Sequence, residues 1–404
     1  MDGKAKAPSG LARVKRWLYA AEGGERGAGC VLCGSCYGHG PVNPMEDDPG
    51  PKTKCPPYDY YRFQRFTPKS RWLMTQRVFH GLDKVTPELK EVIYTCTNCL
   101  MCQETCGVRD DGAGPWDIAV AMREEITNTE GPIEPHRPIF EALRRANNPW
   151  GADARGAWAD GLGLRTLGDH QAPTLLFAGC SADRPEGRAA AVALAKLMQH
   201  AGDDFAILGA DESCCGLYAR DLGFRDEYAR LQEMNIDAIR RAGVRTVVTA
   251  CGSCRRIWGE YPQEELPGLR VVHGVEYLDE LARGGKLRFT KTIATKATYH
   301  DPCHLGRGAG VYDAPRSLLR AIPGLELIEM PRNRRWSSCC GGGGGVPESY
   351  PDLAKWSAED RLAEAKAAGA ELLLTTSAVC HRSFAAAEKI LPVRELLEFV
   401  AESL

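Results

Sequence analysis

The chain has 404 residues, with 51 basic and 53 acidic side chains and a formal net charge of −2. This length predicts two or three domains and more than one buried core. The near balance of charge argues against a polyanion-binding role, so no nucleic-acid partner is expected. No apolar run approaches the ~18 residues of a transmembrane helix, and the N-terminus lacks the pattern of a signal peptide. We therefore expect a cytoplasmic protein without its own transmembrane segment, or one held peripherally on the inner face of a membrane by a partner.

Cysteine is unusually abundant, with 17 residues in the chain. An odd number argues against complete disulfide pairing, and a chain of this size does not need disulfides to be stable. Reduced thiols in clusters indicate metal sites.

The first ~170 residues combine helical patches with many cysteines, prolines and glycines. The pair Thr86–Pro87 predicts a helix start, because threonine can cap a helix and proline suits its first position. The segment 147–173 has little periodicity and many glycines, which is typical of a linker. We predict a helical, ferredoxin-like domain plus linker over residues 1–170.

The cysteines of this part follow the spacing of bacterial [4Fe–4S] ferredoxins. The sequence CTNCLMCQETC at 96–106 gives C-x2-C-x2-C-x3-C, and CVLCGSC at 30–36 gives a further triple run. Three thiolates of such a run hold one cubane cluster, and the fourth cysteine serves the other cluster. The predicted cubane ligands are Cys30, Cys33, Cys36 and Cys106 for one cluster, and Cys55, Cys96, Cys99 and Cys102 for the other.

The sequence departs from the usual ferredoxin pattern in two places, and both affect which cysteines are assigned to which cluster. Gly107 follows Cys106 where proline is usual, and residues 37–54 separate Cys36 from Cys55. Zinc is the alternative metal, but zinc sites usually combine two C-x2-C pairs, and a triple run with a distant fourth cysteine fits them poorly. Iron–sulfur clusters are the preferred interpretation.

From residue 171 onward, short apolar runs alternate with helical stretches, which is typical of parallel sheets covered by helices. The same order of elements occurs twice, so we predict an internal duplication into α/β domains at 171–290 and 291–404. Ligands of such sheets bind beyond the carboxyl ends of the strands. Cysteines stand at these ends, in the runs 173–180, 245–251, 296–303 and 371–380.

Each α/β domain also contains two adjacent cysteines followed by glycine. These are Cys214–Cys215 before Gly216, and Cys339–Cys340 before five glycines at 341–345. Adjacent thiolates can bridge or cap neighbouring irons, and the glycine lets the backbone come close and donate N–H groups to sulfide. The predicted ligand sets are Cys180, Cys214, Cys215, Cys251 and Cys254 in the first domain, and Cys303, Cys339, Cys340 and Cys380 in the second.

Two alternatives compete with this interpretation. Free cysteines often pack as small buried hydrophobes, but nine of them in two matched sets argue against a purely structural role. The five glycines resemble a phosphate loop, but no Gly-Lys-Ser/Thr follows them. Metal binding remains the preferred prediction.

Five segments carry a resemblance to a known family: GCSADRP, SCCG, TACGSC, YHDPCHLGR and SSCCGGGGG. They resemble the CCG-domain proteins, which include the D-type subunit of heterodisulfide reductases and the related K-type subunit of the sulfite-reductase-associated membrane complex. A two-cluster ferredoxin module fused to two CCG domains is also the plan of iron–sulfur subunits for glycolate, lactate and glycerol-3-phosphate oxidation. The resemblance covers roughly residues 28–395.

In the heterodisulfide reductases, five cysteines of a complete CCG signature hold a non-cubane [4Fe–4S] cluster, and a disulfide is cleaved at its irons. The resemblance thus implies a substrate-facing, catalytic non-cubane cluster on the five cysteines of the first domain. In the second domain Ser377 replaces a cysteine. The four remaining cysteines suit a further [4Fe–4S] cluster of the ordinary type.

The resemblance implies an oxidoreductase subunit that acts on sulfur groups. Electrons would pass through the two cubanes to the CCG clusters, where a disulfide or thiol substrate is reduced or oxidised. The alternative is a pure relay between a flavin dehydrogenase or acyl-CoA enzyme and a quinone-linked partner. The sequence contains no flavin or nicotinamide fingerprint. The expected partners are therefore a flavoprotein, a ferredoxin-type subunit, or a membrane quinone or haem subunit.

Three histidines, His300, His304 and His381, stand beside predicted ligands in the sequence. Hydrogen bonding that tunes the cluster potential is their preferred role, and proton donation to a substrate is the alternative. Arg255 and Arg307 are candidates for holding an anionic substrate.

Overall fold

The computed structural model describes residues 30, 33–38, 55–106, 114–151 and 155–404. Gly107 and residues 39–54, most of the segment between Cys36 and Cys55, lie outside these residues. The described N-terminal part is helical, as predicted. Its α-helices are Pro56–Tyr61, Pro68–Phe79, Pro87–Tyr94, Met101–Glu104, Pro115–Glu130 and Arg137–Ala146.

Two of these helices begin with the same pair of residues. The side-chain oxygens of Thr67 and Thr86 accept hydrogen bonds from the backbone N–H groups of Ser70 and Leu89, and a proline follows each threonine. Threonine satisfies an N–H group that has no partner within the helix, and proline has no N–H group to satisfy. The helix start predicted at Thr86 is confirmed.

The remainder of the chain forms two four-stranded sheets in which every pairing is parallel. In chain order the strands are β1 (Thr174–Phe177), β2 (Phe205–Ala206), β3 (Thr246–Thr249), β4 (Arg270–His273), β5 (Thr295–Tyr299), β6 (Leu325–Ile328), β7 (Leu372–Thr375) and β8 (Val393–Glu395). The strand orders are β2-β1-β3-β4 and β6-β5-β7-β8, which are the same topology. The predicted α/β class and the predicted duplication are confirmed.

Helices connect and cover the strands of both sheets. Those of the first half are Pro185–His200, Leu217–Leu222, Arg225–Ala242, Gly252–Gly259 and Gly274–Arg283. Those of the second half are Gly306–Ala309, Asp313–Arg320, Val346–Ser349, Pro351–Ala367, Ala378–Ala385 and Leu396–Ala401. Among the described helices, none combines the length and the apolar character that crossing a bilayer requires.

Two pairs of helices pack across the boundary between the halves, and the pairing is reciprocal. Pro185–His200 of the first half packs on Leu396–Ala401 of the second, and Gly274–Arg283 of the first packs on Asp313–Arg320 of the second. Each contact joins a helix that lies between the first two strands of one half to the last helix of the other. This reciprocity is the pattern of an approximate two-fold relation.

The sheets consequently share one hydrophobic core. Leu176 of the first sheet and Leu374 of the second belong to the same buried cluster. Successive strand residues point to opposite faces of a sheet. The neighbouring residues Leu175 and Leu373 therefore lie in separate clusters, together with the cysteines of their own half.

A buried arginine joins the N-terminal helices to both sheet domains. Nη1 of Arg123 donates hydrogen bonds to the carbonyl oxygens of Asp221 at 2.7 Å and Gly344 at 3.1 Å. Its Nη2 donates to the carbonyl oxygen of Cys96 at 2.7 Å. The planar guanidinium offers several donors at once. One side chain therefore fixes an N-terminal cysteine loop against segments of both halves.

The five glycines at 341–345 pass through a space without room for side chains. A Cβ atom at Gly343 would lie 2.4 Å from the carbonyl oxygen of Thr97, and one at Gly344 would lie 2.4 Å from that of Cys96. Gly344 also has a φ of +63°, which side-chain-bearing residues rarely adopt. The glycines allow this segment to lie directly against the N-terminal cysteine loop.

We expect Arg123→Met to lower the free energy of unfolding by about 3 kcal/mol or more, because buried carbonyl groups lose their charged donor. Arg137→Met is the matched control, since Arg137 is exposed and pairs with Glu134 at 3.1 Å. Its loss should cost no more than about 0.5 kcal/mol. Denaturant unfolding of the two variants measures the difference, and equal losses would contradict the role given to Arg123.

Gly344→Ala should lower the free energy of unfolding by about 2–4 kcal/mol, because it adds overlap with the Cys96 carbonyl to an unfavourable φ. Gly310→Ala separates the two causes. Gly310 has a φ of +75° with nothing within 4 Å of an added Cβ. It should lose only about 1 kcal/mol. Thermal unfolding at equal protein concentration gives both values, and the interpretation fails if the two substitutions are equally costly.

Candidate metal centres

All 17 cysteines lie among the described residues, and all are free thiols. The structure gathers them into four sets, which we name by position. They are the outer set (Cys30, Cys33, Cys36, Cys106), the inner set (Cys55, Cys96, Cys99, Cys102), the five-cysteine set (Cys180, Cys214, Cys215, Cys251, Cys254) and the four-cysteine set (Cys303, Cys339, Cys340, Cys380).

The outer set lines one cavity together with Lys69 and Trp72. Burial raises the pKa of the Cys36 thiol to about 12, and neighbouring cysteines add to the shift. The Ser35 hydroxyl lies 3.4 Å from Cys33 Sγ and lowers the pKa of that thiol. The structure thus brings together the four cysteines that the sequence assigns to one cubane.

The inner set lines a second cavity, which also contains Arg71. Burial raises the pKa of the Cys55 thiol to about 11, while the positive charge of Arg71 opposes the shift. Nη1 of Arg71 lies 3.8 Å from Cys55 Sγ, and its Nε donates to the carbonyl oxygen of Val92 at 2.9 Å. Sequence reasoning missed Arg71, because its position on a helix carries no spacing signal towards a distant cysteine.

The five-cysteine set meets at the boundary between the two sheet domains. Cys180, Cys215, Cys251 and Cys254 line one cavity, which encloses about 470 Å³ free of protein atoms, partly open to solvent. The fifth member, Cys214, contacts Cys180 and Cys215 through its thiol. All five predicted cysteines therefore converge, although up to 74 positions separate them in the sequence (180 to 254).

The walls of this cavity come from several elements. Trp150 precedes the first sheet, Tyr218 follows the adjacent cysteines, and Val379 and Arg382 belong to the second half. The guanidinium groups of Arg184 and Arg382 lie 4.7 Å and 5.0 Å from the centre of the Trp150 ring. Two cations thus border a largely apolar cavity. The sequence motifs gave no sign of these wall residues.

Both pairs of adjacent cysteines show the same backbone hydrogen bond. The N–H of Gly216 donates to Cys214 Sγ at 3.4 Å, and the N–H of Gly341 donates to Cys339 Sγ at 3.3 Å. The two glycines have φ values of +92° and +83°. Only glycine adopts these values readily. The glycine N–H groups were predicted to face sulfide, and the structure places them on cysteine sulfur itself.

The four-cysteine set is packed sulfur to sulfur. Cys340 Sγ and Cys380 Sγ lie 3.2 Å apart, and Cys339 contacts Cys303 and Cys340. A ring nitrogen of His300 lies within 4.8 Å of the sulfurs of Cys340 and Cys380. The four predicted residues are brought together, with His300 beside them.

Arg361 donates a hydrogen bond to His300. Its Nε donates to His300 Nδ1 at 3.2 Å. Burial and the nearby charge of Arg361 lower the pKa of His300 well below its usual range. The ring is therefore neutral and carries its hydrogen on Nε2.

Ser377 stands where Cys251 stands in the first half. Each residue is the N-cap of the helix after the third strand, Gly252–Gly259 for Cys251 and Ala378–Ala385 for Ser377. The Ser377 hydroxyl accepts a hydrogen bond from the N–H of Cys380 at 3.5 Å. The side chain therefore caps the helix that carries Cys380.

The inner set touches the four-cysteine set. Cys339 Sγ lies 3.5 Å from Thr97 Oγ1, and its thiol contacts that of Cys99. Nε of Arg307 donates to the Cys99 carbonyl at 2.9 Å and its Nη1 to the Ser337 carbonyl at 2.8 Å. The guanidinium of Arg307 thus joins backbone segments, and its role in holding an anionic substrate stays a prediction.

Arg255, the other candidate anchor, forms an ion pair. Its Nε lies 3.0 Å from a carboxylate oxygen of Glu276. This ion pair uses the Nε of the guanidinium, and the role of Arg255 in holding an anionic substrate stays a prediction.

Comparison with known proteins gives a consistent result. Residues 174–257 and 297–385 match the sequence profile of the cysteine-rich domain family CCG. Over 394 residues the chain is 31% identical to the D-type subunit of the dihydromethanophenazine:CoB–CoM heterodisulfide reductase of Methanosarcina barkeri, and the match covers 93% of each protein.

Two further relatives are longer proteins. The EtfAB:quinone oxidoreductase of Syntrophomonas wolfei is 34% identical over 266 residues, which are 63% of this chain and 37% of that protein. The probable iron-sulfur-binding oxidoreductase FadF of Bacillus subtilis is 34% identical over 275 residues, which are 64% of this chain and 38% of that protein. Each of these relatives is named as an oxidoreductase or as part of a reductase.

Ser377→Ala should lower the free energy of unfolding by about 1 kcal/mol, because the helix that begins at Ala378 loses its cap. Ser377→Asp should retain most of the stability, since aspartate caps equally well. Neither change should alter the iron content of anaerobically prepared protein. Loss of iron in the alanine variant alone would show that the hydroxyl is a ligand and would contradict its role as a cap.

Proposed function

This chain belongs to the CCG cysteine-rich domain family, in the group of the D-type heterodisulfide reductase subunits, and from that membership we propose a specific electron-transfer function. The protein is an iron–sulfur oxidoreductase subunit whose five-cysteine set faces a disulfide or thiol substrate. The observation that supports this proposal most strongly is the convergence of five thiols at one cavity between the sheet domains.

The four cysteine sets fit the iron–sulfur groups that the sequence predicts. The cysteines of each set line a common cavity or contact one another through their thiols, and cysteine thiolates are the usual ligands of such clusters. We assign a cubane to the outer set, a cubane to the inner set, a non-cubane [4Fe–4S] cluster to the five-cysteine set, and a further [4Fe–4S] cluster to the four-cysteine set. A bound cluster supplies reversible one-electron chemistry.

The chain's own groups compensate the negative charge of the thiolates. The N–H groups of Gly216 and Gly341 point at cysteine sulfur, and the guanidinium of Arg71 lies beside Cys55. Hydrogen bonds and positive charge near sulfur favour the more negative, reduced state, so they raise the reduction potential. These residues therefore help to set the potential at three of the four sets.

The proposed reaction breaks one sulfur–sulfur bond. A disulfide takes up two electrons and two protons and becomes two thiols, and the reverse reaction joins two thiols. The electrons come from a reduced partner, which is a flavoprotein, a ferredoxin-type subunit, or a membrane quinone or haem subunit. Trp150, Leu217 and Val379 contribute apolar walls to this partly open cavity.

A pure relay is the second candidate. Ser377 leaves the second domain one thiol short of the first, and the S. wolfei relative is named as a quinone oxidoreductase. In this function the chain passes electrons between a flavin dehydrogenase or acyl-CoA enzyme and a quinone-linked partner.

Free thiols at all 17 cysteines support a place in the reducing cytoplasm, and a membrane partner would hold the protein at the inner face.

Anaerobically prepared protein should contain about 16 iron atoms, four for each proposed cluster. When a reduced viologen dye supplies electrons, addition of a disulfide to the protein should oxidise the dye. In a separate EPR measurement, addition of a thiol to the protein should produce a new paramagnetic signal. Cys215→Ala should lower the rate of dye oxidation to that of iron-free protein. Iron-free protein is the necessary control, because 17 thiols can also exchange directly with a disulfide.

The two candidate functions differ in one result. Rapid reduction of the iron sites by a flavoprotein, without any reaction with disulfides or thiols, would replace the disulfide proposal by the relay. An iron content of about eight would limit clusters to the outer and inner sets and would overturn both assignments in the sheet domains.

A further inference from the structure

His304 lies at the meeting point of three cysteine sets. It follows Cys303 of the four-cysteine set, beyond the carboxyl end of β5, and is 6% exposed. Its imidazole ring contacts residues outside its own domain on two sides. The inner set lies on one side and the five-cysteine set on the other.

The two ring nitrogens connect these two sets. Nε2 lies 3.2 Å from the carbonyl oxygen of Asn98, and Nδ1 lies 3.0 Å from the hydroxyl oxygen of Ser253. A carbonyl oxygen only accepts, so Nε2 donates to Asn98, and the Ser253 hydroxyl is the hydrogen-bond partner of Nδ1.

Both partners lie inside cysteine loops. Asn98 stands between Cys96 and Cys99, and Ser253 stands between Cys251 and Cys254. The hydrogen-bonded chain from the Ser253 hydroxyl through the imidazole to the Asn98 carbonyl therefore joins two predicted ligand loops, although 155 positions separate its ends (98 to 253).

The backbone of Asn98 depends on such support. Its φ is +52°, in the left-handed region, which asparagine adopts more often than other non-glycine residues but less readily than glycine. Its side-chain amide donates to the carbonyl oxygen of Asp221 at 3.3 Å, and its own carbonyl accepts from His304. An unfavourable backbone conformation persists where surrounding contacts determine it. His304 supplies one of the contacts that hold this loop.

We propose that His304 is a positioning residue that holds the inner set and the five-cysteine set at a fixed separation. The imidazole sets how far apart the centres on these sets lie and how strongly they interact. This inference rests on the proposed function for its spectroscopic consequence, whereas its effect on the two loops does not require bound metal.

Three variants of the full-length, anaerobically prepared protein test the proposal. His304→Leu fills the space without hydrogen bonds, and His304→Gln keeps one donor and one acceptor. Ser253→Ala cuts only the end of the chain at the five-cysteine set. In His304→Leu, amide hydrogen exchange over 96–100 and over 251–256 should become about tenfold faster, because both loops lose a buried hydrogen bond. In Ser253→Ala, the faster exchange should be limited to 251–256.

The decisive readout is the magnetic interaction between the reduced centres, observed by EPR. It should change in His304→Leu and in Ser253→Ala, and return towards the wild-type form in His304→Gln. His381→Leu is the matched control. His381 follows Cys380 as His304 follows Cys303, and its Nδ1 has no hydrogen-bond partner within the described structure.

Two results would overturn the proposal. One is an unchanged EPR interaction in both His304→Leu and Ser253→Ala, and the other is the same change in His381→Leu. If His304→Leu does not fold, His304→Gln and Ser253→Ala decide between these outcomes. A wild-type iron content far below about 16 would refute the proposed function instead, and would leave the exchange measurements as the test of His304.

Discussion

The buried guanidinium of Arg123 is the contact on which the relative placement of the cysteine sets depends. Burial lowers the pKa of Arg123, but its ordinary value is so far above neutrality that the group stays charged. A buried charge is costly unless it is paired or hydrogen-bonded. Here the partners are backbone carbonyls from the inner-set loop at Cys96, from the first half at Asp221 and from the glycine segment at Gly344. Carbonyls occupy fixed positions on the backbone, so satisfying the charge also fixes the three segments relative to one another.

The glycine segment has two separate tasks at this junction. Gly341 turns the backbone so that its N–H reaches Cys339 Sγ, which repeats the arrangement of Gly216 and Cys214 in the first half. Gly343 and Gly344 then allow close contact with the inner-set loop, for which the first half has no counterpart in sequence. The hydrogen bond from a glycine N–H to cysteine sulfur explains why both pairs of adjacent cysteines precede a glycine. The additional contact explains why only the second pair precedes five.

The sequence predicts the features that depend on local patterns. Thr86 before proline gives a helix start, and apolar runs give the strands. The two triple cysteine runs indicate the outer and inner sets, to which Cys106 and Cys55 are assigned from the ferredoxin pattern. Contacts between distant segments leave no comparable pattern. Arg71, Arg123 and His304 act through residues far away in the chain, so only the fold reveals their partners. Arg307 is a further example, because a cationic residue near cysteines suggests a ligand site, whereas its hydrogen bonds to backbone carbonyls are visible only in the fold.

Because the two halves are nearly symmetric, the difference between Cys251 and Ser377 at one equivalent position distinguishes their cysteine sets. Both sheets have the same strand order, and the helices at their boundary exchange roles, so the architecture alone would give two equivalent cysteine sites. Cys251 and Ser377 occupy the same N-cap position, but one is a thiol and the other uses its hydroxyl to cap the helix. The helix behind Ser377 contributes Val379 and Arg382 to the wall of the cavity of the first half. The second half thus has one thiol fewer and supplies a wall instead, which leaves the larger cysteine set on one side of a nearly two-fold arrangement.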